Sequence, residues 1–202
     1  MSDRHLDEAT IDPDPIKQFQ AWLDDAIAAG LILPEAMTVA TSTPEGKPSA
    51  RVLLLKQVDE QGFVFFTNYL SSKSKQLETV PYAALVFWWP PLERQVRVEG
   101  TVMKTSREES REYFATRPRE SQIGAWASPQ SEVIASREVL EKRYQEYEQL
   151  YAGRSVDCPE HWGGYRLRPE RIEFWKGREG RLHDRIVYER ETDGWRTKRL
   201  AP

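Results

Sequence analysis

Four stretches of the chain set cations and hydroxyls against apolar structure, and their common chemistry is anion binding. The first, "GRLHDRIVYER" at 180–190, reads as a β-strand in which alternate residues share a face. Arg181, His183 and Arg185 then project together, with Leu182, Asp184 and Ile186 on the reverse. Such a row repels itself unless an anion lies over it. The plain alternative is a solvated edge strand whose charges discourage aggregation. Trp175, in "EFWKG" just upstream, offers a flat apolar surface beside Arg185, which suits a planar, anionic, heteroaromatic ligand. Gln95 in "ERQV" and Gln130 in "SPQSE" add amides able to read the edge of such a ring.

The other three stretches carry phosphate-type donors. In "RVLLLK", Arg51, Leu53 and Leu55 share one face while Val52, Leu54 and Lys56 share the other. Cations at both ends of a buried run can serve two anions on two sides, although taken alone the run reads better as a barrel-wall strand whose end cations snorkel to water. In "TNYLSSKSKQL", a strand ends at Thr67-Asn68 and a helix starts among Ser71, Ser72 and Lys73. Free N–H groups, hydroxyls and a lysine there suit a phosphate; simple N-capping by either serine with solvated lysines is the common alternative. In "EYFATRPRESQIGAW", Tyr113 and Arg117 share a helix face and Ser121 follows the break at Pro118. Together these hydroxyls and the guanidinium fork donate to a phosphate monoester, the bland reading being an exposed helix face. Two phosphorylated aromatic ligands would account for all four stretches.

These residues need a frame. Asp14-Pro15 starts a helix that Gly30 stops, with Phe19, Trp22, Leu23, Ala26 and Ile27 at helical spacing. From Ala36 the pattern becomes that of strands: 36–43, 49–59, 63–68, 83–89 and 94–105, interrupted by a short helix over Ser72 to Thr79. Ser106-Arg107-Glu108-Glu109 is a capping box opening a helix that Pro118 ends, and a second helix fits Arg137 to Ala152. Strands resume at 164–169, 171–177, 181–190 and 195–200. Such short connections favour antiparallel pairing and closure into a barrel flanked by helices, a mainly β (α+β) fold. Residues 1–13 are expected to be a flexible segment and 14–202 a single domain.

Composition narrows the partners. Twenty-nine Lys+Arg against 32 Asp+Glu give a net charge of −3, which argues against a general nucleic-acid binder. One cysteine, Cys158, permits no internal disulfide, and His5, His161 and His183 show no metal-ligand spacing. No apolar run approaches the ~20 residues that span a bilayer. The opening "MSDRHLDEATIDPDP" lacks the pattern of a secretory signal, so a cytoplasmic protein without membrane contact is expected.

In order and spacing, "RVLLLK", "FFTN", "SSKSKQL", "ERQVRVEG", "TRPRESQIGAWAS", "WGGYRL", "IEFW", "RLHDR" and a final "RLAP" resemble the pyridoxine (pyridoxamine) 5′-phosphate oxidase family. The resemblance runs from about Asp14 to Pro202, and "RPRESQIGAW" and "RLHDR" are its most specific motifs. It implies a homodimeric FMN-binding split β-barrel with the flavin at the interface. Pyridoxine 5′-phosphate and pyridoxamine 5′-phosphate would be oxidised to pyridoxal 5′-phosphate, with O2 as acceptor and H2O2 as product. Carried over by position, it implies FMN contacts at Arg51, Val52, Leu53, Leu54, Leu55, Lys56, Phe66, Thr67, Ser72, Lys73, Gln95, Gln130, Ser131, Trp175 and Arg185. Lys56, Tyr113, Arg117 and Ser121 would hold the substrate phosphate, with Arg181 and His183 over the pyridine ring as the catalytic pair. Ser72 departs from the family pattern, since many relatives carry Arg there. Some relatives also carry a basic N-terminal lid, and no lid residues are assigned in the corresponding "MSDRHLDEATIDP" here. Two other readings keep the fold: a split-barrel flavin oxidase for another aromatic substrate, such as a phenazine precursor, and a non-catalytic flavin-binding protein.

Overall fold

A computed structural model describes residues 5–202. Helix α1 (Pro15–Ala28) starts as its sequence dictates, with the Asp14 carboxylate accepting from the Ile16 N–H and Pro15 in the first turn. Just past its end, Gly30 takes a left-handed φ of 71°. The helix buries Phe19, Trp22, Leu23 and Ala26. Strands β1 (Ala36–Ser42), β2 (Pro48–Leu54), β3 (Gln57–Asp59) and β4 (Gly62–Asn68) precede α2 (Ser72–Thr79), β5 (Tyr82–Trp89) and β6 (Arg94–Lys104). Helices α3 (Arg107–Thr116), α4 (Arg119–Ala127) and α5 (Arg137–Leu150) lead to β7 (Trp162–Lys176), β8 (Asp184–Glu191) and β9 (Gly194–Arg199).

The strands form one antiparallel sheet in the order β2-β1-β5-β6-β7-β4-β3, with β8 on β7 and β9 on β8. β2 and β3 sit at opposite ends of that path, yet only Leu55 and Lys56 separate them along the chain. The sheet must therefore curl until its two ends meet. Leu55 N–H bonds back to Glu35 C=O beside β1, and Lys56 N–H bonds to Val64 C=O on β4, so this dipeptide is the seam of the barrel. α1 plugs the interior: the Phe19 ring lies 4.9 Å from Phe63 and 4.8 Å from Phe87. Val39, Phe65, Leu85, Val96, Val98, Leu167, Ile172 and Phe174 complete this core. A second core, of Phe114, Ile123, Tyr151, Val156 and Trp162, ties the helices α3 to α5 to β7.

Several expectations change. The strand expected over 49–59 divides into β2 and β3, and its apolar run is not a buried wall: Val52 is 66% exposed because β2 is an edge strand. Pro118 does end α3, but it also precedes α4, since proline at a helix start needs no N–H partner. The stretches 164–169 and 171–177 are one strand. Pro169 fits inside it because a bulge at Glu99/Gly100 lies opposite, where a Cβ on Gly100 would sit 2.0 Å from Arg168 O. The last strand expected from 181 begins only at Asp184. Gly180 and Arg181 both adopt left-handed φ (62° and 61°), and Glu179–Arg181 is a 3₁₀ turn. Residues 1–4 lie outside the described residues, and the rest of the segment expected to be flexible is attached. Leu6 is buried, its N–H meets Asp184 Oδ2 at 3.3 Å, and Tyr188 donates to Asp12 C=O at 2.7 Å.

Candidate functional site

A buried lysine and a half-buried arginine meet where β1, β2, β4 and α2 converge. Lys73, in the first turn of α2, directs Nζ inward to Gln130 Oε1 at 2.7 Å, Thr67 Oγ1 at 3.0 Å and Ser71 Oγ at 3.1 Å. Arg51, on β2, donates from Nη1 to Thr41 Oγ1 at 2.7 Å and Val39 C=O at 3.2 Å, and from Nη2 to Ser49 Oγ at 2.6 Å. No carboxylate of the described residues pairs with either cation. Burial, and then the positive charge of Arg51, lowers the Lys73 pKa to about 8. The N-cap Ser71 makes no side-chain cap bond, so the first N–H groups of α2 are free for a ligand. Ser72 points outward and is exposed; Ser71 beside it is the buried hydroxyl.

A second group lies where β4, β7 and α3 meet. Phe66 stacks on Tyr113 with centroids 4.0 Å apart and on Trp162 at 5.4 Å. This flat stack depends on Gly164, which pairs with Phe66 across the strands: a Cβ there would come within 2.8 Å of the Phe66 ring. Arg117 lies over Trp162 at 4.6 Å, and its buried Nη1 has no hydrogen-bond partner among the described residues. Burial is the main influence on this guanidinium and lowers its pKa. Ser121 follows, half-buried in the first turn of α4. Lys56, at the barrel seam, is exposed and free to reach a ligand.

The third group lies on the outer face of the sheet, away from the barrel core. Trp88, Gln95, Trp175 and Arg185 are consecutive partners across β5, β6, β7 and β8 and so form one row. Arg185 Nε donates to the buried Glu173 carboxylate at 2.8 Å, and its Nη1 to Ala201 C=O at 2.9 Å. His183 packs on Trp175 with ring centroids 4.6 Å apart and accepts the Arg178 N–H at Nδ1, which puts the proton of the neutral ring on Nε2. Arg181 is exposed in the turn. The single-face row of Arg181, His183 and Arg185 is thus corrected: left-handed residues at 180 and 181 take the first two out of the strand. His183 and Arg185 still flank Trp175.

Residues 23–151 match the family model described as pyridoxamine 5′-phosphate oxidase, and residues 162–202 match the pyridoxine 5′-phosphate oxidase C-terminal dimerisation region. The chain is 61% identical over 197 residues to the pyridoxine/pyridoxamine 5′-phosphate oxidase of Rubrobacter xylanophilus, covering 98% of this chain and 91% of that one. The chain belongs to the pyridoxamine 5′-phosphate oxidase family. Identity to the enzyme of the same name from Gloeothece citriformis is 57% over 198 residues, with 98% and 92% covered. Among solved structures, PhzG from Burkholderia lata, in complex with tetrahydrophenazine-1-carboxylic acid, superposes with a TM-score of 0.93 at 30% identity, covering 99% and 98% of the two chains. A pyridoxamine 5′-phosphate oxidase-related, FMN binding protein from Nostoc punctiforme superposes at 0.73 with 16% identity, a likeness of fold, over 91% of this chain and 97% of that one. The pyridoxamine 5′-phosphate oxidase fold is thus the fold of this chain.

Within that fold, the residues singled out in sequence fall into three groups, and no hydrogen bond, ion pair or ring contact links the outer row to the other two among the described residues. Arg51, Thr67, Lys73 and Gln130 come together; so do Phe66, Tyr113 and Arg117; so do Gln95, Trp175, His183 and Arg185. Val52, Leu53 and Leu54 line the free edge of β2, where one side of the backbone lacks a strand partner, while Leu55 turns into the core. Ser131 follows Gln130 with a left-handed φ of 73°. Sequence reasoning passed over Thr41, Ser49 and Gln76, which hold Arg51, and Trp162, which Arg117 covers. Gln76 lies one helical turn after Lys73, the one signal that could have found it.

Proposed function

We propose that the chain is an FMN-dependent oxidase that converts pyridoxine 5′-phosphate and pyridoxamine 5′-phosphate to pyridoxal 5′-phosphate, using O2 and releasing H2O2. We further propose that it acts as a homodimer with FMN at the subunit interface. Family membership supports the activity. The observation that carries the site assignment is the pair of partly desolvated cationic pockets, Arg51 with the buried Lys73 and Arg117 with its buried Nη1, each lacking a carboxylate among the described residues. A desolvated cation without a counter-ion is costly unless an anion arrives to share the site.

The residues present fit FMN. Lys73, Arg51 and the free N–H groups of α2 would hold its phosphate, and the unpaired edge of β2 would meet the polar rim of the ring system. Trp175, Gln95 and Arg185, from the outer face of the other subunit, would close over it. When bound, FMN supplies the two-electron acceptor for hydride removal and passes those electrons to O2. The chain does the rest. Arg117, Tyr113, Ser121 and Lys56 bind the substrate phosphate, which a phosphate-free substrate would leave unmatched. Arg181 and His183 orient the pyridine ring, with His183 Nε2–H as donor. A cation at this place helps more as negative charge develops on the acceptor than before, which is the condition for catalysis.

The reading predicts that anaerobic addition of pyridoxine 5′-phosphate bleaches the yellow holoprotein, and that admitting air restores the colour with peroxide release. A colour unchanged by substrate would overturn it. The lowered pKa of Lys73 gives a second expectation. Below about pH 8 the ammonium is already charged and FMN binding moves no proton; above it, binding a phosphate dianion must recharge Lys73. FMN affinity should thus fall as pH rises past 8, by about tenfold between pH 7 and pH 9, with proton uptake on binding in weakly buffered solution. A flat affinity across that range would contradict the assignment.

A further inference from the structure

The hydrogen bonds around Arg51 close into a ring that runs through α2. Arg51 carries only donors, so the hydroxyls of Thr41 and Ser49 must accept from its Nη1 and Nη2 and send their own protons elsewhere. Both send them to one atom, Gln76 Oε1, at 2.5 Å from Thr41 Oγ1 and 2.9 Å from Ser49 Oγ. The direction of the ring fixes the amide: were the Gln76 nitrogen turned inward, both hydroxyl protons would have no acceptor. Thr41 is buried, and the ring joins β1, β2 and α2. With the Val39 carbonyl also accepting from Nη1, the remaining N–H groups on Nε and Nη2 are the ones left for a ligand.

We infer that Gln76 is a positioning residue for the cofactor phosphate: its amide oxygen locks Arg51, through Thr41 and Ser49, beside Lys73. Lys73 and Gln76 stand three residues apart on one face of α2, so the helix brings one cation itself and orients the other. Without the shared acceptor, each hydroxyl must rotate to find another partner, and the Arg51 fork loses its fixed orientation. Gln76 touches no ligand in this scheme; it acts through Arg51. The inference rests on the reading of Arg51 and Lys73 as the FMN phosphate site.

Comparison of FMN with riboflavin, which has the same ring and no phosphate, tests it. Flavin-free full-length protein, its Gln76→Met variant (straight-chained and of similar helix propensity) and Thr41→Val, on the opposite side of the ring, are titrated with both flavins by fluorescence quenching. The expected result is about tenfold weaker FMN binding in each variant, the worth of one lost hydrogen bond, with riboflavin affinity within twofold of wild type. In an Arg51→Lys background, which has already lost the fork, Gln76→Met should change FMN affinity less than twofold. Equal weakening of both flavins in either variant, or unchanged FMN affinity in both, would overturn the role of Gln76. Wild-type protein that binds FMN no better than riboflavin would instead overturn the phosphate site itself, and this inference with it.

Discussion

Lys73→Ala protein should purify almost colourless, with FMN affinity reduced by about two orders of magnitude. The ammonium is the most enclosed charge at the site, and Gln130, Thr67 and Ser71 aim it at one place. Removing one partner of a desolvated, hydrogen-bonded charge pair costs about 2–5 kcal/mol of binding free energy, and about 3 kcal/mol corresponds to a hundredfold in Kd. The flavin-free protein should not suffer. In it, Lys73 is a buried cation without a counter-ion, so truncation relieves a desolvation cost rather than breaking a pair. Thermal melting of flavin-free wild type and variant should therefore agree, or favour the variant. Absorbance at the flavin band after gel filtration gives the occupancy. Full FMN retention by Lys73→Ala would contradict the cradle.

Arg117→Ala should raise the Michaelis constant for pyridoxine 5′-phosphate by about a hundredfold, with kcat within a few-fold of wild type. The phosphate lies away from the reacting carbon, so its contacts are equally strong before and during hydride removal and contribute uniform binding. Arg117 also packs on the ring of Trp162, and its truncation exposes that surface. Arg117→Lys separates the two effects: it retains the charge and most of the packing but loses the planar fork, so an intermediate Michaelis constant is expected. Unphosphorylated pyridoxine supplies the internal control, since wild type and Arg117→Ala should use it equally poorly. An unchanged Michaelis constant for the phosphorylated substrate would remove Arg117 from the site.

What could be read in the sequence was mostly local. The Asp14 cap, Pro15 and Gly30 frame α1 because capping depends on residues within one turn. Ser106 and Glu109 form both halves of their capping box for the same reason, with Glu109 N–H 3.0 Å from Ser106 Oγ and Ser106 N–H 3.3 Å from Glu109 Oε2. Alternation of apolar residues located the strands, but alternation cannot tell an edge strand from a central one, so the exposure of Val52 was missed. The turn at 180–181 has one signal in the sequence, Gly180, a residue that weakens a strand, set beside a charged alternation that favours one. At the site, each cation stood out in its own stretch, but their neighbours did not. Lys73 meets Gln130 from 57 residues away, and the position of Gln130 depends on how α4 leaves Pro118. Pairing at that range follows from tertiary packing. Only the family resemblance, which carries the folded arrangement with it, linked Lys73 to Gln130 ahead of the structure.

The unpaired margin of β2 has a cost outside catalysis. An exposed strand margin carrying a bare valine is a template on which another chain can stack, and the flavin rim is what would cover it. On the proposed reading, flavin-free protein would leave this margin open and self-associate more readily than the flavin-loaded form.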